Sequence, residues 1–182
     1  LDDGKILLAG STEISGQYDC AVVRFNADGT LDTTFDGDGK KIQAIGVLDD
    51  YGIDVAAGRD GKIVVVGNSN NGENTDFAIT RFNADGTLDS TFDHDGPGRV
   101  QTTFSVIDEA TRVIWVDGKI VVAGTAMKGG DTDFALARYT GDGILDPTFD
   151  GDGKVTTEIG EKTDRAHSLE IGRASCRERV CY

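Results

Sequence analysis

The sequence predicts an all-β fold, an open arc of about three four-stranded antiparallel β-propeller blades built from 57-residue tandem repeats, and three observations carry that expectation. The triplet Asp-Gly-Lys begins at Asp3, Asp60 and Asp117, a constant spacing of 57 residues. Each unit holds about four short strand signals separated by turn residues, and nothing has a helical period of useful length. The strands carry bulk on both faces, as a blade wedged between blades requires. A repeat of this length is one supersecondary unit whose apolar faces need neighbours, so shape is more legible than ligand.

The period extends well beyond the triplet. Asp19, Asp76 and Asp133 keep it, as do Arg24, Arg81 and Arg138, and Phe35, Phe92 and Phe149. The string Arg24 to Phe35 (RFNADGTLDTTF) returns as Arg81 to Phe92 (RFNADGTLDSTF) and, more diverged, as Arg138 to Phe149 (RYTGDGILDPTF). An extra residue near Pro97 and a lost one between Gln101 and Asp108 are read as compensating changes in loops, which tolerate them where a strand register would not.

Within a unit, the first strand is expected at Gly52 to Ala57 and at Arg112 to Val116. Asp117-Gly118 then separates Arg112 to Val116 from Lys119 to Gly124, and Asp-Gly between apolar runs is the strongest short hairpin signal. The third strand runs Asp76 to Asn83, with Phe77, Ile79 and Arg81 on one face and Ala78, Thr80 and Phe82 on the other. The fourth is Arg99 to Phe104, matched by Lys154 to Ile159. A parallel β-helix would need a much shorter period. These signals divide the chain into a partial blade at 3–46, blades at 51–104 and 110–159, and the start of another at 164–169. Leu31 and Phe35 are spaced to plug one apolar gap.

The strings DGKIVVVG and DFAITRFNADGTLDSTF, followed by a Gly-Asp-Gly stretch and a Thr-rich strand, resemble the delta-60 repeat, a bacterial tandem repeat without an agreed activity. The resemblance covers residues 3 to about 169. It implies a propeller-like fold and an extracellular or cell-surface bacterial setting. Cys20 stands where the other units have Phe77 and Phe134, which reads as core packing.

Both ends depart from the period. The chain opens at Leu1 without the first strand of its first unit, and Glu170 to Tyr182 (EIGRASCRERVCY) abandons the repeat, so the chain reads as part of a longer one with further blades. The 170–182 string resembles a translated sequencing adapter, with a basic tail or an expression scar as the alternatives, and is set aside from fold reasoning. The whole chain has a net charge of −14. Without the three arginines and two glutamates of that string the repeats stand at −15. Such a field repels phosphate backbones and anionic membranes, so neither nucleic-acid binding nor membrane insertion is expected. No stretch approaches the roughly 20 apolar residues of a spanning helix.

Catalytic constellations are not evident. His94 and His167 occur in single units, the Asp-Gly-Lys triplets are followed by Ile and so make no phosphate loop, and Gly37-Asp38-Gly39 does not open a helix. Three equivalent copies of a residue point in three directions, whereas an acid and a base need one asymmetric site. The shared residues are therefore read as architectural. Arg24, Arg81 and Arg138 are expected between blades with the guanidinium on a carboxylate or a backbone carbonyl. The loop Asn26 to Gly39 holds four aspartates, and Asp36 and Asp38, with Asp93 and Asp95 and Asp150 and Asp152, are the candidate Ca²⁺ ligands; the competing reading is that they shape turns. Three functions follow: a structural or binding module presenting loops to a protein or glycan, part of a propeller lyase or hydrolase with its site in other blades, or a calcium-stiffened spacer.

Overall fold

A computed structural model describes residues 3–58, 60–93 and 98–172. Among these described residues eleven strands form three antiparallel sheets. The first holds β1 (Ile6–Ile14), β2 (Gln17–Phe25) and β3 (Lys40–Gln43). The second runs in the order β4 (Asp50–Ala57), β5 (Ile63–Asn70), β6 (Thr75–Phe82) and β7 (Arg99–Thr102). The third repeats that order with β8 (Asp108–Val116), β9 (Lys119–Lys128), β10 (Asp131–Thr140) and β11 (Lys154–Thr157). Sequential strands are neighbours throughout, which is the meander of a propeller blade. Among the described residues no helix is long and apolar enough to cross a membrane.

Strict alternation places each blade's two faces in different cores. Ile63, Val65, Ala78 and Phe82 join Cys20, Val22 and Phe35 of the first blade in one buried cluster. Val64, Val66, Phe77 and Ile79 face the other way and pack with Ile120, Val122, Ala135 and Tyr139 of the third. The second blade is thus covered on both sides. Each such side chain withdrawn from water contributes roughly 1.5–3 kcal/mol, so blade-to-blade burial is the main support of the fold.

The first strand of each complete blade is bulged, between Gly52 and Asp54 in β4 and between Ala110 and Arg112 in β8. The strand beside it carries glycine at the bulge because no side chain fits: a Cβ on Gly67 would lie 1.7 Å from the Tyr51 carbonyl oxygen, and one on Gly124 2.1 Å from that of Glu109. The second blade then satisfies backbone donors of β8, since Asn68 accepts from the Ala110 N–H at 2.7 Å and Asp54 from the Val113 N–H at 2.9 Å.

The two Asp-Gly hairpins differ. Val116 and Lys119 pair across Asp117-Gly118, whose φ values of 50° and 72° define the tight two-residue turn. In the second blade the strands separate at Ala57 and resume at Ile63, with Gly61 donating to the Gly58 carbonyl at 3.2 Å and Gly58 to that of Lys62 at 2.8 Å. That is a three-residue loop ending in a left-handed glycine. The compensation that keeps the period is accordingly more elaborate than one gain and one loss. Phe92 to Arg99 is two residues longer than Phe35 to Lys40, Phe104 to Asp108 is one shorter than Ile45 to Asp50, and the third hairpin is one shorter than the second.

Leu31 and Phe35 do not fill one gap. The loop returns to the end of its own third strand, through the bridges Phe25–Leu31, Phe82–Leu88 and Tyr139–Leu145. This turns the leucine toward the preceding side and the phenylalanine toward the following one: Leu88 packs on the cluster shared with the first blade, Phe92 in the cluster shared with the third. Leu31 is 37% exposed. After β11 the chain runs without regular structure to Gly172, and Ala166 is buried against the third blade. Of the 170–182 string, residues 173–182 lie outside the described residues.

Candidate functional site

The shared charged residues meet in the loop after each unit's third strand. Asp32 is turned into the blade, where its Oδ2 accepts from Arg24 Nε at 2.6 Å and from Lys5 Nζ at 2.8 Å, and its Oδ1 from Thr34 Oγ1 at 2.6 Å. The second unit repeats this with Asp89, Arg81 at 2.7 Å, Lys62 at 2.5 Å and Thr91 at 2.7 Å. The third has Asp146, Arg138 at 3.0 Å, Lys119 at 2.9 Å and Thr148 at 2.7 Å. The lysine is that of the Asp-Gly-Lys triplet. Each guanidinium also lies 4.7 Å from the ring centre of the same unit's Phe35, Phe92 or Phe149.

These contacts fix the carboxylates in the ionised form. The hydrogen bond from Lys5, aided by Thr34, holds Asp32 well below the ordinary carboxylate range. Burial pushes Asp89 up, but the bonds from Lys62 and Thr91 and the charge of Arg81 outweigh it. Lys119 and Thr148 hold Asp146 down in the same way. The Thr34, Thr91 and Thr148 backbone N–H groups add a fourth donor, each at 3.1 Å, so every lone-pair direction of these buried carboxylates is taken and each serves as a strut.

The network also crosses between blades. Arg24 Nη1 donates to the Ala84 carbonyl and Arg81 Nη1 to that of Gly141, sixty residues ahead in each case. Beside them the Asp36 N–H donates to the Asp85 carbonyl, and the Asp93 N–H to that of Asp142, both at 2.7 Å. The receiving loop must be glycine at its closest point: a Cβ on Gly86 would lie 2.8 Å from the Asp36 nitrogen, and one on Gly143 2.8 Å from the Phe92 ring.

Among the described residues, loop aspartates considered as calcium ligands take part in the turns. Asp38 and Asp152 each accept the N–H two residues on, from Lys40 and Lys154, at 2.9 Å. Asp28 and Asp85 do the same for Thr30 and Thr87. Asp36 pairs with Lys41 at 3.1 Å, and Asp36, Asp93 and Asp150 hold positive φ of 48°, 69° and 49°. Asp95 and His94 lie outside the described residues. Among the described residues no three acidic, histidine or cysteine side chains are grouped to hold a metal ion.

Asp19, Asp76 and Asp133 stand on β2, β6 and β10, at the end remote from the arginines. Asp76 is buried, with Oδ2 accepting from Asn71 at 3.0 Å. Cys20, in the core between the first two blades, has its thiol pushed up to about 12 by burial and by the charges of Asp50 and Asp19. Sequence reasoning missed a second aspartate series. Asp50 and Asp108 close the turns into β4 and β8, and Asp164 the equivalent turn after β11, accepting the N–H groups of Ile45 and Gly46, Phe104 and Ser105, and Ile159 and Gly160.

One cleft breaks the repeat. A cavity of about 450 Å³ opens where the hairpins of the second and third blades meet, lined by Gly58, Asp60, Trp115, Val116, Asp117 and Gly118 among others. Trp115 occupies it because residue 58 is glycine; a Cβ there would lie 2.8 Å from the indole.

Tandem blades, joined by a buried Arg-Asp-Lys loop that reaches from each to the next, define a β-propeller segment. The chain belongs to the β-propeller domain family of unknown function DUF5122, whose model matches residues 1–35, 58–92 and 117–149. No curated protein matches the chain.

Proposed function

We propose that this chain is a binding module, a rigid propeller scaffold that presents a recognition cleft to a protein or glycan partner in an extracellular or cell-surface setting. The observation that carries it is the division of labour between repeating and non-repeating residues. Arg24, Arg81 and Arg138 and their aspartates are consumed in holding blades together, while the chain's one tryptophan, Trp115, lines an open cleft beside Asp60 and Asp117. An aromatic body flanked by acceptors suits a partner that offers both an apolar face and donor groups, such as a sugar ring or a basic peptide. The delta-60 resemblance supports the surface setting. Catalysis, if the whole protein has it, would belong to other blades.

The single tryptophan is also the probe. Titration with a panel of neutral oligosaccharides and of Lys-rich and Asp-rich peptides should shift its fluorescence for one class, and Trp115→Ala should abolish that binding, measured by calorimetry, in a chain that still melts cooperatively, though at a lower temperature because the indole also packs on the core. A panel that leaves fluorescence and calorimetry silent, or binding that survives Trp115→Ala, would remove the cleft from the proposal.

A further inference from the structure

Where the chain crosses from the first blade to the second, and again from the second to the third, an apolar pair stands exposed at the end of the strands remote from Trp115. We propose that this face docks a second protein through a ridge of Tyr18, Tyr51, Val47, Leu48, Val106 and Ile107, and that the segment it takes carries basic side chains beside apolar ones. The surface is separate from the Trp115 cleft, since β4 and β8 run from one to the other over a length of roughly 25 Å.

The ridge is set out by turns that do not require it. Asp50 accepts the N–H groups of Ile45 and Gly46, and Asp108 those of Phe104 and Ser105, which leaves Val47-Leu48 and Val106-Ile107 on the outer bend of each turn. Val47 is 74% exposed and Val106 64%, with Leu48 and Ile107 exposed beside them. Asp164 closes an equivalent turn with Glu161 and Lys162 at those two places, both exposed, so charged residues satisfy the same geometry. Both apolar turns lie between consecutive blades and are flanked on either side.

Neighbouring contacts make the ridge continuous and hold it still. The Tyr18 and Tyr51 rings stack across the junction of the first two blades, with 5.3 Å between centres, and both are exposed. The turn beside them is tied to the β1–β2 hairpin, where the Tyr18 N–H donates to Asp49 Oδ1 at 2.9 Å and Gln17 Nε2 to the Val47 carbonyl at 3.2 Å. A Cβ on Gly72 would lie 3.7 Å from Leu48, which places that turn against the β5–β6 hairpin. Thr75, which opens β6, donates to the Val106 carbonyl at 3.3 Å and bridges Ile107. Glu109 holds the place of Tyr51 in the third blade, the two pairing with Thr125 and Asn68, and it is exposed beside a complete blade, so the opening at Tyr51 belongs to the position. A surface held in this way has little freedom to lose on binding.

Charge selects the partner. The segments 12–19, 43–51, 69–76 and 103–109 that build this face hold eight aspartates and glutamates and no lysine or arginine. Asp50, Asp76 and Asp108 are buried, but Glu13, Glu73 and Glu109 stand exposed. Among the described residues the ion pairs fall elsewhere, on Asp3, Asp32, Asp36, Asp89 and Asp146. Arg99 and Lys154 reach these segments at the Ala44 and Thr103 carbonyls. An apolar ridge with tyrosine faces and a rim of uncompensated carboxylates suits lysine or arginine, whose stem lies on the ridge while the charge meets a ring or the rim. Two copies of so acidic a face repel each other, which sets a second copy of the chain aside as the occupant.

A random dodecapeptide display library, selected on the 182-residue chain and depleted on a variant carrying Val47→Ser with Val106→Ser, supplies the probe. The selected peptides should combine lysine or arginine with apolar or aromatic residues, and their synthetic forms should bind the wild-type chain, in fluorescence anisotropy, with an affinity that falls as salt rises. The Val47→Ser, Val106→Ser variant should bind them at least about tenfold more weakly at an unchanged melting temperature, because both side chains stand in water. Glu73→Gln with Glu109→Gln, also at exposed positions, should weaken binding and flatten its salt dependence, and Trp115→Ala should leave it intact. Failure of any peptide to enrich, enriched peptides without basic residues, binding untouched by the glutamine pair, or binding lost with Trp115→Ala would each overturn the proposal.

Discussion

Arg24 holds Asp32 of its own blade at 2.6 Å through Nε while its Nη1 donates to the carbonyl of Ala84, sixty residues further on. One side chain thereby closes its own loop and fastens the next blade. Arg81 repeats the arrangement through Asp89 and Gly141.

Removing Arg81 should therefore cost more than removing Arg138. Arg81→Ala strands the buried Asp89 carboxylate and cuts the link to Gly141, a loss of about 3–5 kcal/mol. Arg138→Ala breaks a pair already open to water on one side, costing about 1.5–3 kcal/mol. Urea unfolding of both variants gives the comparison, and equal losses would show that the reach between blades carries no stability.

Acid should unfold the chain earlier than its acidity alone implies. Asp32, Asp89 and Asp146 are depressed from an ordinary value of 3.8, so the unfolded chain takes up protons that the folded one refuses. The stability these groups supply is complete above the unfolded value, falls as pH drops below about 5, and is lost only below the folded values. Asp89→Asn should start less stable at pH 7 and show a shallower decline between pH 5 and 3 in urea titrations.

Gly29 and Gly86 share a left-handed backbone, at φ 85° and 88°, but only Gly86 has the preceding loop against it. Alanine at either position carries the conformational cost of about 1–2 kcal/mol. At Gly86 a further 1–3 kcal/mol of overpacking against Phe35 and Asp36 should appear. Equal melting shifts for the two variants would contradict the stacked loops.

Calcium should leave the melting temperature unchanged relative to chelator. Asp28, Asp38, Asp85 and Asp152 spend an oxygen on a backbone N–H two residues on, and among the described residues no group of three metal-ligating side chains forms. A rise in melting temperature that grows with the logarithm of calcium concentration would return these aspartates to the role of ligands.

The blades were legible because period-two alternation and Asp-Gly turns are local signals; Phe77, Ile79 and Arg81 could be assigned one face and Ala78, Thr80 and Phe82 the other from order alone. The interlock was not. Asp32 sits in a turn-rich loop where a buried carboxylate and a solvated turn former look the same, and Lys5 reaches it from another strand. Asp50, Asp108 and Asp164 fall off the 57-residue spacing because the two extra residues between Phe92 and Arg99 are only half offset by the shortened segment before Asp108. Leu31 and Phe35 were assigned together because spacing alone does not show that the loop folds back on Phe25 and sends the two side chains to opposite faces.

Because every unit carries both the reaching arginine and the glycine-lined carbonyl that the arginine of the unit before it seizes, a whole unit is compatible with any copy of itself. Duplication or loss of one complete 57-residue segment creates no orphaned charge and no empty socket, whereas a cut within the segment between Arg24 and Gly39 creates both. Whole-unit steps thus preserve the interlock, while length changes within a unit fall where its arginine and aspartate are not, as between Phe92 and Arg99 and between Phe104 and Asp108.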